Sequence, residues 1–181
     1  MHRGHQERLA PMLAEAMAEA GASFSELDRI GVTVGPGSFT GLRVGLAFAK
    51  GLAIARGVPC VGVSVLEALA ASADAHGRVL AAIDAKRAQA YLQLFEAGRP
   101  LSDPEAVLLA DIPAWLEGHG GSEGLTIVGS GAALLAEAAP SARLAPLAAP
   151  DPLAIARLAA RSDAAPARPI YLRAPDARLP A

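Results

Sequence analysis

One glycine-rich segment has residues suited to binding chemistry: Gly35-Pro36-Gly37-Ser38-Phe39-Thr40-Gly41, between a strand-like run and a helix-like run. Such a loop can hold a phosphate, because the first backbone N–H groups of a helix lack partners. A P-loop, however, requires Lys and then Ser or Thr after its last glycine, and Leu42-Arg43 stand there instead. The glycines are also spaced one residue too widely for the dinucleotide-binding pattern. The sequence favours a structural turn capped by Ser38 or Thr40, and leaves a nucleotide site as the alternative.

Histidine and carboxylate chemistry has two further candidates. His2 and His5 are three residues apart, a spacing that could bind a metal on a helix, but no third ligand is evident. Asp84, with Lys86 and Arg87 close by, could form an acid/base cluster. We expect these three instead to form ion pairs at the surface, which contribute little to stability.

The remaining candidates favour structural roles. Ser38 does not lie in the G-x-S-x-G pattern of a nucleophile elbow, and no His/Asp arrangement accompanies it. Cys60 falls in a strand, where a thiol usually acts as a small buried hydrophobe. We expect His76 and His119 in solvated loops, and Trp115 as a packing residue.

Apolar periodicity predicts the elements that position these residues. A helical stripe over 9–20 precedes a strand at 29–34, a helix ending at Arg56-Gly57 and a second strand at 58–63. That order predicts a βαβ unit with parallel strands. Further strands are predicted at 79–83, 90–95, 106–109 and 125–128, and helices at 112–117, after Gly129-Ser130-Gly131 and from Asp151 to Arg161. We predict an N-terminal lobe (1–77), a C-terminal lobe (78–163) and an extended proline-rich tail (164–181).

Composition narrows the class of protein. The chain has 181 residues and is 52% hydrophobic, but 43 of its residues are alanine, and no apolar run is long enough to span a membrane. A net charge of −2 and seven aromatic residues argue against a protein that binds nucleic acid unaided. The single cysteine excludes an internal disulfide and fits a reducing compartment. We therefore expect a cytoplasmic protein without a membrane segment.

The second predicted helix is apolar on nearly all sides. Leu42, Leu46 and Ala49 lie on one side, and Phe48 and Ile54 lie toward the other. Such a helix must be covered twice. One cover is the sheet of its own βαβ unit, and the second is either the rest of this chain or a partner helix.

Five segments of the chain resemble the TsaB (YeaZ) family, in the family's own order. They are GPGSFTGLRVGLAFAKGLA at 35–53, HQERLAPML at 5–13, IDAKRAQAY at 83–91, VGSGA at 128–132 and PIYLR at 169–173. Together they extend over nearly the whole chain, and the long glycine motif is highly specific. The resemblance implies an α/β fold of the two-lobe actin/sugar-kinase/Hsp70-like (ASKHA) type. It also implies the role of a non-catalytic dimerisation subunit in the bacterial tRNA threonylcarbamoyladenosine machinery.

The resemblance further implies what surrounds the chain. It would form a heterodimer with a paralogous transferase subunit of TsaD type, or a homodimer through the same surface, and an accessory ATPase of TsaE type would dock on the pair. ATP, metal and threonylcarbamoyl-adenylate would lie on the partner, this chain would have no cofactor of its own, and tRNA would be contacted only through the complex. The alternative is an enzyme: a small ASKHA-type ATPase, or a peptidase acting on the paralogous subunit.

Two sets of residues follow from the resemblance and the helix pattern. The predicted partner interface comprises His5, Leu9, Met12, Leu13, Met17, Leu42, Gly45, Leu46 and Ala49. The predicted structural loop comprises Gly35, Pro36, Gly37, Ser38, Phe39, Thr40, Gly41 and Arg43.

The start of the chain departs from the family pattern. Family members begin with an Asp-Thr-Ser-bearing strand and a hairpin before the first helix, whereas this chain starts just ahead of that helix. Only two candidate strands precede residue 77, and an isolated two-stranded ribbon is marginal in water. We therefore expect an N-terminally truncated version of the fold, through a mis-assigned start codon or a shortened chain.

Overall fold

A computed structural model describes residues 5–161 and 164–173, with the side chains of residues 5–7 left out. Its helices are α1 (His5–Glu19), α2 (Phe39–Arg56), α3 (Val65–Ser72), α4 (Ile112–Gly118) and α5 (Pro152–Ala159). Its strands are β1 (Ile30–Thr33), β2 (Cys60–Val63), β3 (Arg78–Lys86), β4 (Gln89–Glu96), β5 (Arg99–Pro100), β6 (Glu105–Leu108), β7 (Leu125–Val128) and β8 (Arg143–Leu144). Short 3₁₀ turns occupy Phe24–Glu26, Leu109–Asp111 and Ala132–Leu135.

The larger sheet has six strands and contains most of the core. Its order is β5-β4-β3-β7-β8, with β6 also paired to β4. β3 and β4 form a long antiparallel pair, whereas β3 and β7 run parallel. One face packs Leu80 and Leu92 against Leu116 of α4, and the other packs Phe95 against Leu66 of α3. Because both faces are covered, β3 and β4 are continuous apolar runs rather than alternating ones.

The smaller sheet consists of β1 and β2 alone. They pair in parallel from Ile30↔Cys60 to Thr33↔Val63, which confirms the predicted βαβ unit. α2 and α5 both pack against this pair of strands, and α5 contacts it through Ala159, close to Gly31. Residues 164–170 return along β2, where the Gly62 N–H donates to the Ala165 carbonyl at 2.8 Å.

The contacts of α5 differ from the predicted division at residue 77. Sequence order placed α5 with the C-terminal lobe, but it packs on β1 and β2 of the first sheet and on α3. The chain therefore crosses back to its first sheet after completing the second. A hydrophobic pattern identifies α5 as amphipathic without saying which sheet its apolar face meets.

Three of the helices begin directly after a Ser or Asp residue whose side chain caps the helix N-terminus. Ser38, Ser64 and Asp151 cap α2, α3 and α5, each accepting a hydrogen bond from a backbone N–H of the first turn. The helix expected after Gly129-Ser130-Gly131 is reduced to the 3₁₀ turn at Ala132–Leu135. The physical reason is that this glycine segment lies against β3, where the Gly131 N–H donates to the Ala82 carbonyl at 3.0 Å.

Candidate functional site

The glycine-rich loop ties three parts of the fold together. Gly35 has a φ of +101°, and a Cβ there would lie 3.0 Å from the Ile170 carbonyl oxygen and from Leu42 Cδ1, so glycine is required. The Gly35 carbonyl accepts from the Val65 N–H at 2.8 Å, which joins the loop to the start of α3. The Ser38 hydroxyl accepts from the Gly41 N–H at 3.4 Å and caps α2. These contacts are those of a turn that fixes β1, α2 and α3 relative to one another.

Arg43 and Phe39 form a small surface cluster with Tyr171 beside this loop. The Arg43 guanidinium carbon lies 3.9 Å from the centre of the Phe39 ring, a cation–π contact. The Phe39 and Tyr171 ring centres are 5.4 Å apart. Arg43 thus stacks on an aromatic face of its own chain and helps attach residues 169–173 to the start of α2. Thr40 is exposed in the first turn of the helix.

Burial in α2 corrects part of the predicted interface. Leu42, Leu46 and Ala49 are buried by their own chain, at 9% exposure or less. Leu46 packs with Val34 of the first sheet and with Ala167. The reason is geometric: this side of α2 faces β1, so these three side chains form the cover that the chain itself provides.

The opposite side of α2 is exposed to solvent. Ile54 is 82% exposed and Phe48 is half-buried, while Gly45 lies at the margin between the two sides. The sequence pattern separated the two sides correctly, but it could not say which one faces outward because both are apolar. Ile54 is therefore an interface candidate that the predicted set omitted.

The apolar stripe of α1 is only partly buried by the rest of the chain. Leu9, Leu13 and Met17 are half-buried, and Met12 is 52% exposed. No residue from 8 to 19 in this helix is fully buried. His5 begins α1, but its side chain lies outside the described residues, as does His2 altogether.

Packing within the chain does not require glycine at two positions inside α2. A Cβ built at Gly45 or at Gly51 would meet nothing within 4 Å among the described residues, and neither glycine has a positive φ. A glycine inside a helix costs about 1 kcal/mol relative to alanine. The small size of the exposed Gly51 keeps the outer side of α2 open to close approach from outside, whereas Gly45 lines a cavity that faces the larger sheet.

The acid/base candidates form a surface ion pair, as predicted. Lys86 Nζ lies 2.6 Å from Asp84 Oδ2, and the Lys86 N–H donates to Asp84 Oδ1 at 2.8 Å. These hydrogen bonds from Lys86, through its side chain first and then its backbone, lower the pKa of Asp84. A carboxylate held in its ionised form in this way is a poor general base near neutral pH.

The other candidates have structural surroundings. Burial raises the pKa of the half-buried Cys60 thiol, an effect that Lys50 partly opposes. His119 lies in a turn after α4, as expected, but it is half-buried: its ring stacks on Trp115 at 3.9 Å, and Nδ1 lies 2.8 Å from the Trp115 carbonyl oxygen. The backbone at 119–121 curls around the Arg78 guanidinium, which holds this ring against α4.

A cavity of about 350 Å³ lies between the glycine-rich loop and the larger sheet. Its polar side chains are the hydroxyls of Thr33, Ser38 and Ser130, and the rest of its lining is glycine, proline and apolar residues. This lining has no carboxylate or basic group to bind a magnesium–nucleotide complex, so we derive no chemistry from it. Among the described residues, no group of three or more His, Cys, Asp and Glu could hold a metal ion. None of the described helices is long and apolar enough to cross a membrane.

Comparison with known proteins gives these surfaces a context. Residues 1–128 match the protein family described as "TsaD: tRNA N6-adenosine threonylcarbamoyltransferase". The chain is 39% identical over 92 residues to the Escherichia coli "tRNA threonylcarbamoyladenosine biosynthesis protein TsaB". It also superimposes on a crystal structure from Pseudomonas aeruginosa, described as an uncharacterized protein with similarity to peptidase YEAZ, with a TM-score of 0.79 at 30% identity. The chain belongs to the TsaB (YeaZ) family.

Coverage differs among these relatives of the TsaB family. The match takes in 94% of this chain and 85% of the Pseudomonas structure, which supports a shared α/β fold of the YeaZ type. An uncharacterized protein of Mycobacterium tuberculosis is 32% identical over 177 residues, or 97% of this chain and 78% of that protein. The match to E. coli TsaB, in contrast, takes in 49% of this chain and 40% of that protein, less than half the length of that curated relative.

Proposed function

We propose that this chain is a non-catalytic scaffold subunit that dimerises with a transferase subunit. The reaction it supports is N6-threonylcarbamoylation of the tRNA adenosine 3′ to the anticodon. One observation carries the proposal: in a chain of the TsaB family, α2 exposes Ile54 three residues after the exposed Gly51, where a Cβ would meet nothing within 4 Å among the described residues. An exposed apolar helix face lined by small residues is suited to contact with another helix.

The energetics of α2 support an external contact. Replacing Gly45 and Gly51 by alanine would clash with nothing described and would favour the helix by about 1 kcal/mol at each position. Within the described residues, neither glycine allows a close packing contact that would offset this loss of helix stability. A partner backbone that approaches α2 closely would provide the compensation. The partly covered stripe of Leu9, Leu13 and Met17 on α1 is a second apolar surface that a partner could cover.

In the proposed division of labour, chemistry belongs to the partner. The transferase subunit, of TsaD type, would hold ATP, metal and threonylcarbamoyl-adenylate, and an accessory ATPase of TsaE type would dock on the assembled pair in the cytoplasm. This chain would contact tRNA only within the complex, in keeping with its net charge of −2. The same surface could pair two copies of the chain in the absence of the transferase.

The enzyme alternative receives no support from the described residues. The Ser38 hydroxyl is engaged as a helix cap, and Asp84 is paired with Lys86. Isothermal titration of the isolated chain with ATP and magnesium separates the alternatives. Tight binding followed by turnover would favour an ATPase and contradict a scaffold without chemistry of its own.

The decisive experiment is co-purification with the transferase subunit of the same genome. Gly51→Arg places a long charged side chain on the exposed side of α2 near Ile54, at a position where a Cβ would meet nothing within 4 Å. Gly118→Arg is the matched control. A Cβ at Gly118 would also meet nothing within 4 Å, but Gly118 lies in α4, which packs on the larger sheet. We expect Gly51→Arg to abolish co-purification and Gly118→Arg to leave it intact.

Folding must be verified in both variants by circular dichroism and urea unfolding. If a folded Gly51→Arg variant still co-purifies at the wild-type level, the exposed side of α2 does not contact the transferase. Loss of co-purification in both variants would likewise contradict a contact specific to α2. Complementation of modified-tRNA synthesis then tests whether the contact is required for the reaction.

A further inference from the structure

The hairpin turn between β3 and β4 has three consecutive non-glycine residues in the left-handed backbone region. Lys86, Arg87 and Ala88 have φ values of +62°, +55° and +54°. Lys86 pairs with Gln89, so Arg87 and Ala88 form a two-residue turn. Asn and Gly are the usual residues of such a turn, because they adopt a positive φ at little cost. The chain instead places two exposed cationic side chains at the tip of this hairpin.

Tyr171 and Arg173 connect this turn to the start of α2. Arg173 Nη1 donates to the carbonyl of Ala85, the residue before Lys86, at 3.1 Å. At the other end of this stretch, Tyr171 lies against Phe39, which in turn carries the Arg43 guanidinium on its ring. One continuous surface therefore runs from the first turn of α2 to the tip of the hairpin. We call it the basic surface, and it consists of Phe39, Arg43, Lys86, Arg87, Tyr171 and Arg173.

Positive charge is concentrated in the elements that form the basic surface. α2 contains three Lys or Arg residues and no Asp or Glu, and segment 164–173 contains two Arg residues and no Asp or Glu. Within residues 84–89 the single carboxylate is Asp84, which is paired with Lys86 at 2.6 Å. The chain as a whole has a net charge of −2. Local positive charge on a chain of negative net charge indicates a site for a polyanion.

Two exposed aromatic rings lie among these cationic side chains. Phe39 is 47% exposed and Tyr171 is 48% exposed, and their ring centres are 5.4 Å apart. An acidic protein surface would be bound by charge alone and would make no use of such rings. Unpaired bases, in contrast, stack on aromatic rings and on Arg guanidinium planes while the phosphates bind cations. This combination of side chains favours single-stranded RNA over an acidic protein.

We propose that the basic surface binds the unpaired loop of an RNA stem-loop. Arg43 and Arg87 bind phosphates at its two ends, and the Tyr171 ring stacks on an unpaired base between them. The inference rests on the proposed function, in which this RNA is the tRNA substrate of the complex. Because few phosphates are neutralised, the isolated chain binds weakly, and the contact adds to the affinity of the transferase subunit for the same RNA.

Fluorescence anisotropy of the full chain tests the site at several KCl concentrations, beginning at low ionic strength. The probe is a fluorescein-labelled RNA stem-loop with the sequence of a tRNA anticodon arm. We expect saturable binding that weakens as the salt concentration rises. Arg87→Gln should weaken it at least threefold at the lowest salt concentration. The slope of log Kd against log salt concentration should also fall by about one, the value for one phosphate contact.

Arg99→Gln is the matched control for charge. Arg99 is exposed in β5, beside Glu96 at the end of the β3–β4 pair opposite the turn. The same exchange therefore removes the same charge from the other end of the same two strands. We expect Arg99→Gln to bind the stem-loop as wild type does, with an unchanged salt dependence.

Substitutions of Tyr171 test the stacking contact separately from the charge. Tyr171→Ala should weaken binding at least threefold without changing the salt slope, because it removes a ring and no charge. Tyr171→Phe retains the ring and should bind as wild type does. A fully base-paired RNA of equal length should bind more weakly than the stem-loop, since it offers no unpaired base. Urea unfolding should confirm that both variants fold as wild type does.

Four results would overturn the proposal. They are the absence of saturable binding at the lowest salt concentration, equal effects of Arg87→Gln and Arg99→Gln, wild-type binding by Tyr171→Ala, and displacement of the RNA by polyglutamate of equal charge as effectively as by unlabelled stem-loop. The last result would indicate an acidic protein as the partner.

The failure of this inference and that of the scaffold proposal are distinguishable. Arg87→Gln should leave co-purification with the transferase intact, because Arg87 lies outside the exposed side of α2. If the stem-loop binds as expected while a folded Gly51→Arg variant still co-purifies, the α2 contact is wrong and the RNA site stands. If Gly51→Arg abolishes co-purification and the stem-loop does not bind, the RNA site alone is wrong.

Discussion

The two sheets of this protein differ in their number of strands and in how deeply those strands are buried. Most residues of β3 and β4 are buried, and Leu80, Leu92 and Ile127 are fully enclosed between helices and neighbouring strands. β1 and β2, in contrast, form a sheet of only two strands among the described residues, and α1 has no fully buried residue from 8 to 19. The larger sheet is stabilised by its own contacts, whereas the smaller sheet and α1 present surfaces for other chain segments to cover.

The difference indicates where stability and function lie in this chain. Function in a scaffold subunit requires apolar surface that remains available, and such surface contributes little to the stability of the isolated chain. We therefore expect core substitutions in the larger sheet to affect folding, and substitutions on α1 and the outer side of α2 to affect association.

The largest effect is expected for Leu80→Ala in the larger sheet. Leu80 is completely buried, so its truncation should lower the free energy of unfolding by about 2–5 kcal/mol through lost burial and a residual cavity. Leu13→Ala on α1 is the matched control, because the same atoms are removed from a half-buried position. Urea unfolding of both variants measures the difference. Equal losses would show that α1 is as firmly packed as the core.

A smaller loss is expected for Gly62→Ala in β2. A Cβ at this position would lie 2.6 Å from Val34 Cγ1 and 3.1 Å from the Ala167 Cα, which is closer than packing allows. Overpacking of this kind typically costs about 1–3 kcal/mol. The urea midpoint should fall, and residues 164–170 should become more accessible to limited proteolysis. An unchanged midpoint with unchanged proteolysis would show that residues 164–170 are not held against β2.

The sequence predicted the βαβ unit, the four longer strands of the larger sheet and the cap of α2, because each has a local signal. Alternation, apolar runs and Ser or Asp before a helix act within a few residues. The glycine-rich loop was likewise predicted as a turn with Ser38 or Thr40 as its cap, and Ser38 takes that position. The features that could not be predicted from the sequence depend on contacts between residues far apart in the chain.

Three particular features show that limit. α5 packs on β1, more than a hundred residues away in sequence, and no local pattern specifies that choice. The outward side of α2 could not be distinguished from the inward one, because Leu46 and Ile54 are equally apolar. The stacking of His119 on Trp115 depends on the way the backbone at 119–121 curls around Arg78, which a loop-like composition does not reveal.

Gly51→Ala should have opposite effects on stability and association. The isolated chain should gain about 0.5–1 kcal/mol, because alanine favours the helix and its methyl group meets open space. The complex with the transferase should weaken, because the methyl group separates two closely packed backbones. Urea unfolding measures the first effect, and competition with unlabelled wild type in co-purification measures the second. A stabilised variant with full affinity would show that no backbone approaches α2 at Gly51.

The smallest effect is expected at the Asp84–Lys86 ion pair on the larger sheet. Lys86→Met keeps the length of the side chain and the positive backbone φ of +62° but removes the charge. For an exposed pair we expect a loss of at most about 0.5 kcal/mol at pH 7. Lys86 lowers the pKa of Asp84 in the folded chain, so the stability it provides is present above the unfolded pKa of about 3.9 and disappears as the pH falls through the lower folded value. The urea midpoints of wild type and variant should therefore differ slightly at pH 7 and converge below about pH 4. A difference that persists in acid would have to come from the turn rather than from the carboxylate, and Asp84→Asn, which can retain the hydrogen bond from the Lys86 N–H, would distinguish the two contributions.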